Sequence, residues 1–477
     1  MLFNSIEFLI FLPIVFILYW TAFGKSLKLQ NLFVVLVSYL FYGWWDWRFL
    51  LLIAFTTFCS FASGLLIEHF RNNRTYARMV CGVNIVINLL ILAVFKYYNF
   101  FVSTFCETFL GGTKQDLLLN VILPVGISFY TFQALSYSID VYRNKIGATR
   151  DAVAFFAFVS FFPQLVAGPI ERATNLLPQF LEKRNFDYMA AVDGMRQIIW
   201  GFFKKVVIAD NCAVYVNRVF SDYGTESSSS LWMGAVFFSI QIYGDFSGYS
   251  DIAIGTGRLF GVKLMRNFNY PYFSRDIAEF WRRWHISLTT WFRDYVYIPL
   301  GGSRVTKLKV VRNTFIIFLI SGFWHGANMT FVFWGVFHAL LFIPLILCGQ
   351  NRRYLNAVAE NSHLPSLREF CSMFGTFCMA TIGWILFRAE TLTDGVRYFG
   401  NMFSVSLFTL PSGKFQVLQC VVMISVMILF EWINRTRQHG FEISRWPRHV
   451  RYMLYIGFCF VIWLFRGDSS SFIYFQF

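Results

Sequence analysis

The sequence predicts an all-α polytopic membrane protein, and three observations carry that prediction. Apolar stretches of about 17 to 25 residues, long enough to cross roughly 30 Å of hydrocarbon, recur from end to end. Charged residues make up 14% and hydrophobic residues 57% of the 477 positions, whereas a soluble domain carries about 25% charged residues. The cations cluster in short segments between the apolar runs, as the positive-inside rule expects of connecting loops. The net charge of +15 therefore reports membrane topology and argues against a nucleic-acid partner. A single integral membrane domain over 1–477 is expected, without a soluble part of separate composition and without a repeat of about 20 to 50 residues.

The first apolar segment, 6–23, has no basic residues before it and no small-residue cleavage pattern after it, so it is expected to stay as a first span. Cations at Lys25 and Lys28, at Arg71, Arg74 and Arg78, at Arg143, Lys145 and Arg150, at Lys183, Arg184, Lys204 and Lys205, from Lys263 through Arg312 and from Arg435 through Arg451 mark the internal face. Segments 44–47, 104–118, 221–230 and the tail after Gly467 mark the external one. Crossings then place the N-terminus outside, Lys25 inside, Trp45 outside, Arg74 inside, Lys114 outside and Arg143 inside. Two apolar segments, 152–170 and 198–213, follow before external Asp222, where an odd number of crossings is required. The first holds Phe161-Phe-Pro-Gln-Leu-Val-Ala-Gly-Pro169 and is expected to dip in and return, since two prolines and a glycine break a helix. Spans near 370–387, 415–433 and 452–465 alternate back from the basic 435–451 segment. The nine cysteines form no CxxC pair and lie mostly in apolar runs, so neither a disulfide framework nor a metal site is expected.

His325 stands in Ile320-Ser-Gly-Phe-Trp-His-Gly-Ala-Asn328, inside a tract, 313–347, that contains no Lys, Arg, Asp or Glu. An imidazole at membrane depth is costly and marks a functional site by default. The tract must enter and leave, because Arg312 and Arg352 both read as internal, and Trp324 to Asn328 is the expected broken turn. At about 1.5 Å per residue His325 lies roughly 18 Å from Asn313, where irregular backbone is tolerated only against protein or a cavity. The competing role is a packing histidine. His338 reads as polar glue between helices.

The second informative stretch is 276–295. Ile277, Phe280, Trp281, Trp284, Leu288, Trp291, Phe292 and Tyr295 recur at spacings of three and four, which predicts one amphipathic helix lying in the internal interface. His285 would sit about 40° around from Trp281, at the edge of that stripe; the competing role is an interfacial histidine with a solvated tip. Arg275, Arg282, Arg283, Arg293 and Arg304 are candidates for holding the phosphates of a donor, or else interfacial anchors. Asp245 and Asp251, six residues apart, face opposite sides of a helix and are not an acid/base pair. Asp245 and Tyr249 share a face, and these polar groups are expected to hydrogen-bond between helices.

Phe280-Trp-Arg-Arg-Trp-His-Ile-Ser-Leu-Thr-Thr-Trp-Phe-Arg-Asp-Tyr-Val-Tyr-Ile-Pro-Leu-Gly-Gly302, followed by Gly322-Phe-Trp-His-Gly-Ala-Asn328, resembles the membrane-bound O-acyltransferase (MBOAT) superfamily, in particular its bacterial AlgI-type polysaccharide O-acetyltransferase branch. Val166-Ala-Gly-Pro-Ile170, the 243–255 segment and the opening Met-Leu-Phe-Asn-Ser-Ile-Glu-Phe-Leu add to the likeness, which covers nearly the whole chain and is densest over about 160–340. The resemblance implies an MBOAT fold of about eleven transmembrane helices, with re-entrant and interfacial amphipathic helices around a central funnel and a catalytic core over about 120–350. It implies a catalytic His at His325 and a second polar position at His285; Arg282, Arg283, Arg304, Trp324 and Asn328 are the candidate donor-binding residues beside them. It implies acetyl transfer from a cytosolic thioester, acetyl-CoA or another, with no bound cofactor, for O-acetylation of an extracellular or cell-wall polysaccharide. It also implies a multi-pass protein of the bacterial inner membrane with a periplasmic or extracellular SGNH-type partner. Within the family the alternative is D-alanyl transfer to teichoic acid. Outside it, a transporter or flippase with His325 as proton relay would be expected to show inverted repeats, and no matching halves are found. Imidazole suits acyl transfer because its pKa lies near neutrality; His325 would act as base or transient acyl carrier, and His285 would orient the thioester or donate to its oxyanion.

Overall fold

In hydrocarbon, backbone polar groups must be satisfied within the segment itself, which leaves an apolar chain the helix. The described residues of this protein contain helices and no strand. The computed structural model describes residues 1–111, 117–119, 122–166, 168–466 and 472–473. Lys114 and most of the tail after Gly467, both expected outside, fall beyond those residues. The helices pack as two units, 1–195 with 253–265, and 196–252 with 266–477.

The first unit contains α1 (Ile6–Thr21), α2 (Leu27–Asp46), α3 (Arg48–His69), α4 (Arg74–Leu92), α5 (Tyr98–Phe109), α6 (Ile127–Tyr142), α7 (Ala152–Ser160), α8 (Phe162–Leu165) and α9 (Ala173–Leu181). Ser5, Ser26 and Asn73 start α1, α2 and α4 by accepting first-turn N–H groups, the usual work of an N-cap. α3 packs on α4 and α6, and α2 on α7. α7, of nine residues, rises only about 13 Å and breaks at Phe161, where ψ is 108°. A helix that short is below the length of a span, and its break falls at the start of the Phe161–Pro169 stretch where an interruption was expected. Arg184 corrects that pattern. It stays in the segment between α9 and Tyr188, but its side chain is buried, and its guanidinium donates to Gln30 Oε1 at 3.1 Å and to Asn31 Oδ1, so it is a buried strut and not a solvated loop cation.

The second unit contains most of α12 (Ser228–Leu259), which follows α10 (Tyr188–Phe202), a π-helical turn at Phe203–Ala209 and α11 (Asp210–Ser221). It continues through α13 (Ile277–Arg283), α14 (Ile286–Phe292), α15 (Lys307–His325), α16 (Met329–Leu347), α17 (Leu367–Arg388), α18 (Leu392–Asn401), α19 (Lys414–Ile433) and α20 (Arg448–Leu464). Lys204 and Lys205, expected in an internal loop, are instead buried in the π-helical turn. A buried ammonium persists only when paired. Lys205 Nζ lies 2.8 Å from both Asp210 and Asp245, and Lys204 Nζ 2.6 Å from Asp251.

α15 and α16 form the closest hairpin, because Gly322 and Gly335 have no Cβ to meet the carbonyls of Phe331 and Phe318. Among the described residues, six helical segments are long and apolar enough to cross a membrane: α2, α3, the run Arg74–Phe109, α16, α17 and α19.

Candidate active site

The 276–295 stretch is two helices, not one. α13 ends at Arg283, Trp284 is extended, and His285 adopts φ 44°, ψ 54°, the left-handed region, before α14 begins. A histidine there costs about 1 to 3 kcal/mol and needs support. Asn267 supplies it. Its carbonyl accepts Ile286 N–H at 2.8 Å, and its Oδ1 accepts the Ser287 N–H at 3.3 Å and the Ser287 hydroxyl at 2.8 Å. His285 Nδ1 lies 3.1 Å from the same Oδ1.

This pinning corrects two expectations. His285 is not at the edge of a continuous stripe, because the helix phase restarts at the break. Its tip is not solvated, because only 1% of the residue is exposed and Nε2 has no hydrogen-bond partner among the described residues. The Ser287 N–H can only donate, so the amide atom facing it is oxygen; that oxygen takes the Nδ1 proton and leaves Nε2 as a bare acceptor. Burial alone pushes this imidazole down to about 3, so it is neutral at physiological pH. The helices themselves lie in the protein interior: Phe280, Trp281, Trp284, Leu288, Trp291 and Phe292 are all buried, with α13 packed on α16 and α17.

His325 is the last residue of α15. Gly326 is extended, and Asn328 caps α16 by accepting Thr330 N–H at 3.0 Å, so the broken turn stands where the sequence placed it. Gly326 is needed there, since a Cβ would run into the Phe331 ring. The indole of Trp324 stands between the two histidines, its ring centroid 4.8 Å from His325 and 5.9 Å from His285. Trp334 and Phe387 close the other sides of His325 at 5.1 and 5.2 Å, and Phe246 packs edge-on to His285 at 4.6 Å. The tertiary structure thus brings His285, Trp324 and His325, separated by up to 40 positions in sequence, to one aromatic-walled site.

Other candidates fall elsewhere. Asn328 donates to Glu390 O at 2.9 Å and ties the His325 turn to the end of α17. Arg282 donates to the carbonyls of Asn351 and Tyr354 at 2.6 and 2.7 Å. Arg283 and Arg275 share Glu279, at 2.7 and 3.0 Å. These three guanidinium groups lock the 351–356 loop to α13. Arg293 pairs with Asp294 at 2.7 Å, and Arg304 is exposed in the loop before α15. Asp245 and Asp251 face opposite sides of α12, each toward its own lysine, and the Lys205 ammonium sits 5.6 Å from the Tyr249 ring centre.

His338 is not hydrogen-bonded glue. Both ring nitrogens lack hydrogen-bond partners among the described residues, and the ring is boxed by Trp281 at 4.9 Å and Trp334 at 5.0 Å. Sequence reasoning missed Asn267, Trp334 and Phe387. The only signal for Asn267 was an Asn-Phe-Asn run inside a segment read as basic loop.

These features define a polytopic membrane protein with two buried histidines at one aromatic site. The model of the MBOAT, membrane-bound O-acyltransferase, family matches residues 39–382, which include both histidines. The chain belongs to this family and is an acyltransferase. It is 40% identical to the probable alginate O-acetylase AlgI of Pseudomonas aeruginosa over 86% of its own length and 76% of the relative's. It is 34% identical to the peptidoglycan O-acetyltransferase of Helicobacter pylori over 100% and 98% of the two chains. Likeness to the teichoic acid D-alanyltransferase of Bacillus subtilis is 30%, over 46% of this chain and 58% of that one.

Proposed function

We propose that this protein takes an acetyl group from a cytosolic acyl thioester, acetyl-CoA being the simplest, and passes it through the membrane for O-acetylation of a polysaccharide outside the cytoplasm. The observation that carries this reading is the pair of buried histidines meeting across the Trp324 indole. In the proposed step His325 takes the proton of an acceptor hydroxyl, and that oxygen attacks the thioester carbonyl. The C–S bond breaks, and the departing thiolate receives the proton from the His325 imidazolium. His285, neutral and with Nε2 as acceptor, holds an N–H or O–H of the donor and so fixes the thioester against His325. Aromatic walls exclude water, which would otherwise hydrolyse the thioester.

The bacterial inner membrane, a single catalytic domain with its core over about 120–350, and an SGNH-type partner that completes transfer to the glycan belong to the same proposal. Acetyl as the transferred group is supported by the AlgI-type relatives and by the match to a peptidoglycan O-acetyltransferase over essentially both chains. D-alanyl transfer has weaker support, because that relative matches less than half of this chain.

Protein in oriented vesicles, given labelled acetyl thioester on one side, tests the reading. Consumption is expected only from the face exposing Arg304, and label should cross only when a glycan or partner acceptor is present on the opposite face. His325→Ala should abolish consumption at unchanged protein abundance. Transfer of intact donor, or full activity in His325→Ala, would overturn the assignment.

A further inference from the structure

The first unit carries a second site that the proposed reaction does not use. The C-terminal end of α3, the N-terminal end of α4 and the C-terminal end of α6 surround a pocket of about 380 Å³ whose rim holds Arg71, Arg74 and Arg143. Its single acid, Glu68, is engaged by the Ala148 N–H. Arg78 and Arg74 lie near the Tyr142 hydroxyl and hold its pKa below the usual phenol range. Three guanidiniums and one carboxylate line this pocket, and forked N–H donors suit phosphate oxygens.

Its surroundings identify the kind of phosphate. α3 and the run beginning with α4 are both helices able to span a membrane, and the cup lies at their shared end. Directly beyond it, α4 exposes Tyr76, Met79, Val83, Val86 and Leu90 in one stripe at helical spacing, and α3 exposes Leu66 and Phe58. A phosphate held in the cup would have apolar helix surface running away from it in the direction of hydrocarbon. That is the layout of a headgroup with its acyl chains, and basic pockets between helix ends are where anionic lipids bind.

We infer that the cup formed by Arg71, Arg74 and Arg143 is a binding site for the phosphate headgroup of an anionic phospholipid. It lies in a different packing unit from His285 and His325 and shares no residue with the proposed acyl-transfer step.

The probe is phosphatidylglycerol against phosphatidylcholine, titrated onto the purified full-length protein in neutral detergent and read by native mass spectrometry. Selective retention of phosphatidylglycerol, weakening with added salt, is expected. The double variant Arg71→Gln, Arg143→Gln leaves the Tyr142 contacts in place. It should weaken phosphatidylglycerol about 30-fold, equivalent to about 2 kcal/mol, while Arg71→Lys, Arg143→Lys keeps most of the binding. Equal retention of both lipids by the wild type overturns the inference without reference to any variant. Undiminished phosphatidylglycerol binding by the Gln variant overturns it too. Displacement of the lipid by millimolar inorganic phosphate or coenzyme A as readily as by phosphatidylglycerol would assign the cup to a soluble phosphate and so overturn the lipid reading.

Discussion

Asn267→Ala tests whether the orientation of His285 matters for catalysis. The amide makes four side-chain contacts: with Ser287 N–H at 3.3 Å, the Ser287 hydroxyl at 2.8 Å, His285 Nδ1 at 3.1 Å and the Ser250 hydroxyl at 3.1 Å. At about 1 kcal/mol net per buried hydrogen bond the ceiling is about 4 kcal/mol. The Ser287 hydroxyl can rotate toward another acceptor, whereas the Ser250 oxygen loses its Asn267 donor, which leaves about 3 kcal/mol. The backbone bond from Ile286 N–H to the Asn267 carbonyl survives, so the break between α13 and α14 should persist. The imidazole, however, loses the group that fixes its tautomer and angle, and misplacement by about 1 Å costs on the order of 10²-fold in rate. The variant should accumulate, melt at a lower temperature in detergent, and consume acetyl thioester about 100-fold more slowly. Asn267→Asp retains the Oδ1 contacts and should recover much of the folding loss. A destabilised Asn267→Ala protein with wild-type turnover would refute the reasoning and return His285 to a structural role.

Three further outcomes follow from the same geometry. Since the folded imidazole of His285 sits near 3 and the unfolded one near 6.5, the folded state binds fewer protons between those values. Stability from this group is therefore present above pH 6.5 and falls as pH drops toward 3, by about 2 kcal/mol at pH 5; thermal unfolding of wild type against His285→Gln should show that difference in slope. Lys205→Met leaves Asp210 and Asp245 without their shared cation and should cost about 3 to 5 kcal/mol, less when combined with Asp245→Asn, as a double-mutant cycle in detergent would reveal. Gly335→Ala drives a methyl into the Phe318 carbonyl and should open the α15–α16 hairpin at a cost of about 1 to 3 kcal/mol. Turnover should fall with it, because neighbouring Trp334 packs on His325.

The chain itself determined the helical membrane class, the turn after His325 and the two histidines as candidates. Each rests on local chemistry: apolar length, a charge-free tract, and Gly326 and Asn328 where a helix must stop and restart. What the chain alone misplaced were groups whose surroundings come from distant segments. Helical phase put His285 at the edge of a stripe, but a single left-handed residue resets that phase, and it is held there by Asn267, 18 positions away. Cations counted as loop markers turned out to be interior ones, because Lys204, Lys205 and Arg184 meet acids and amides that only packing delivers. Three of the arginines read as phosphate candidates, Arg275, Arg282 and Arg283, are engaged by Glu279 and by the 351–356 carbonyls. A sequence shows which groups are costly to bury, and the tertiary structure decides which partner offsets that cost and which nitrogen, His285 Nε2, is left facing the site without one.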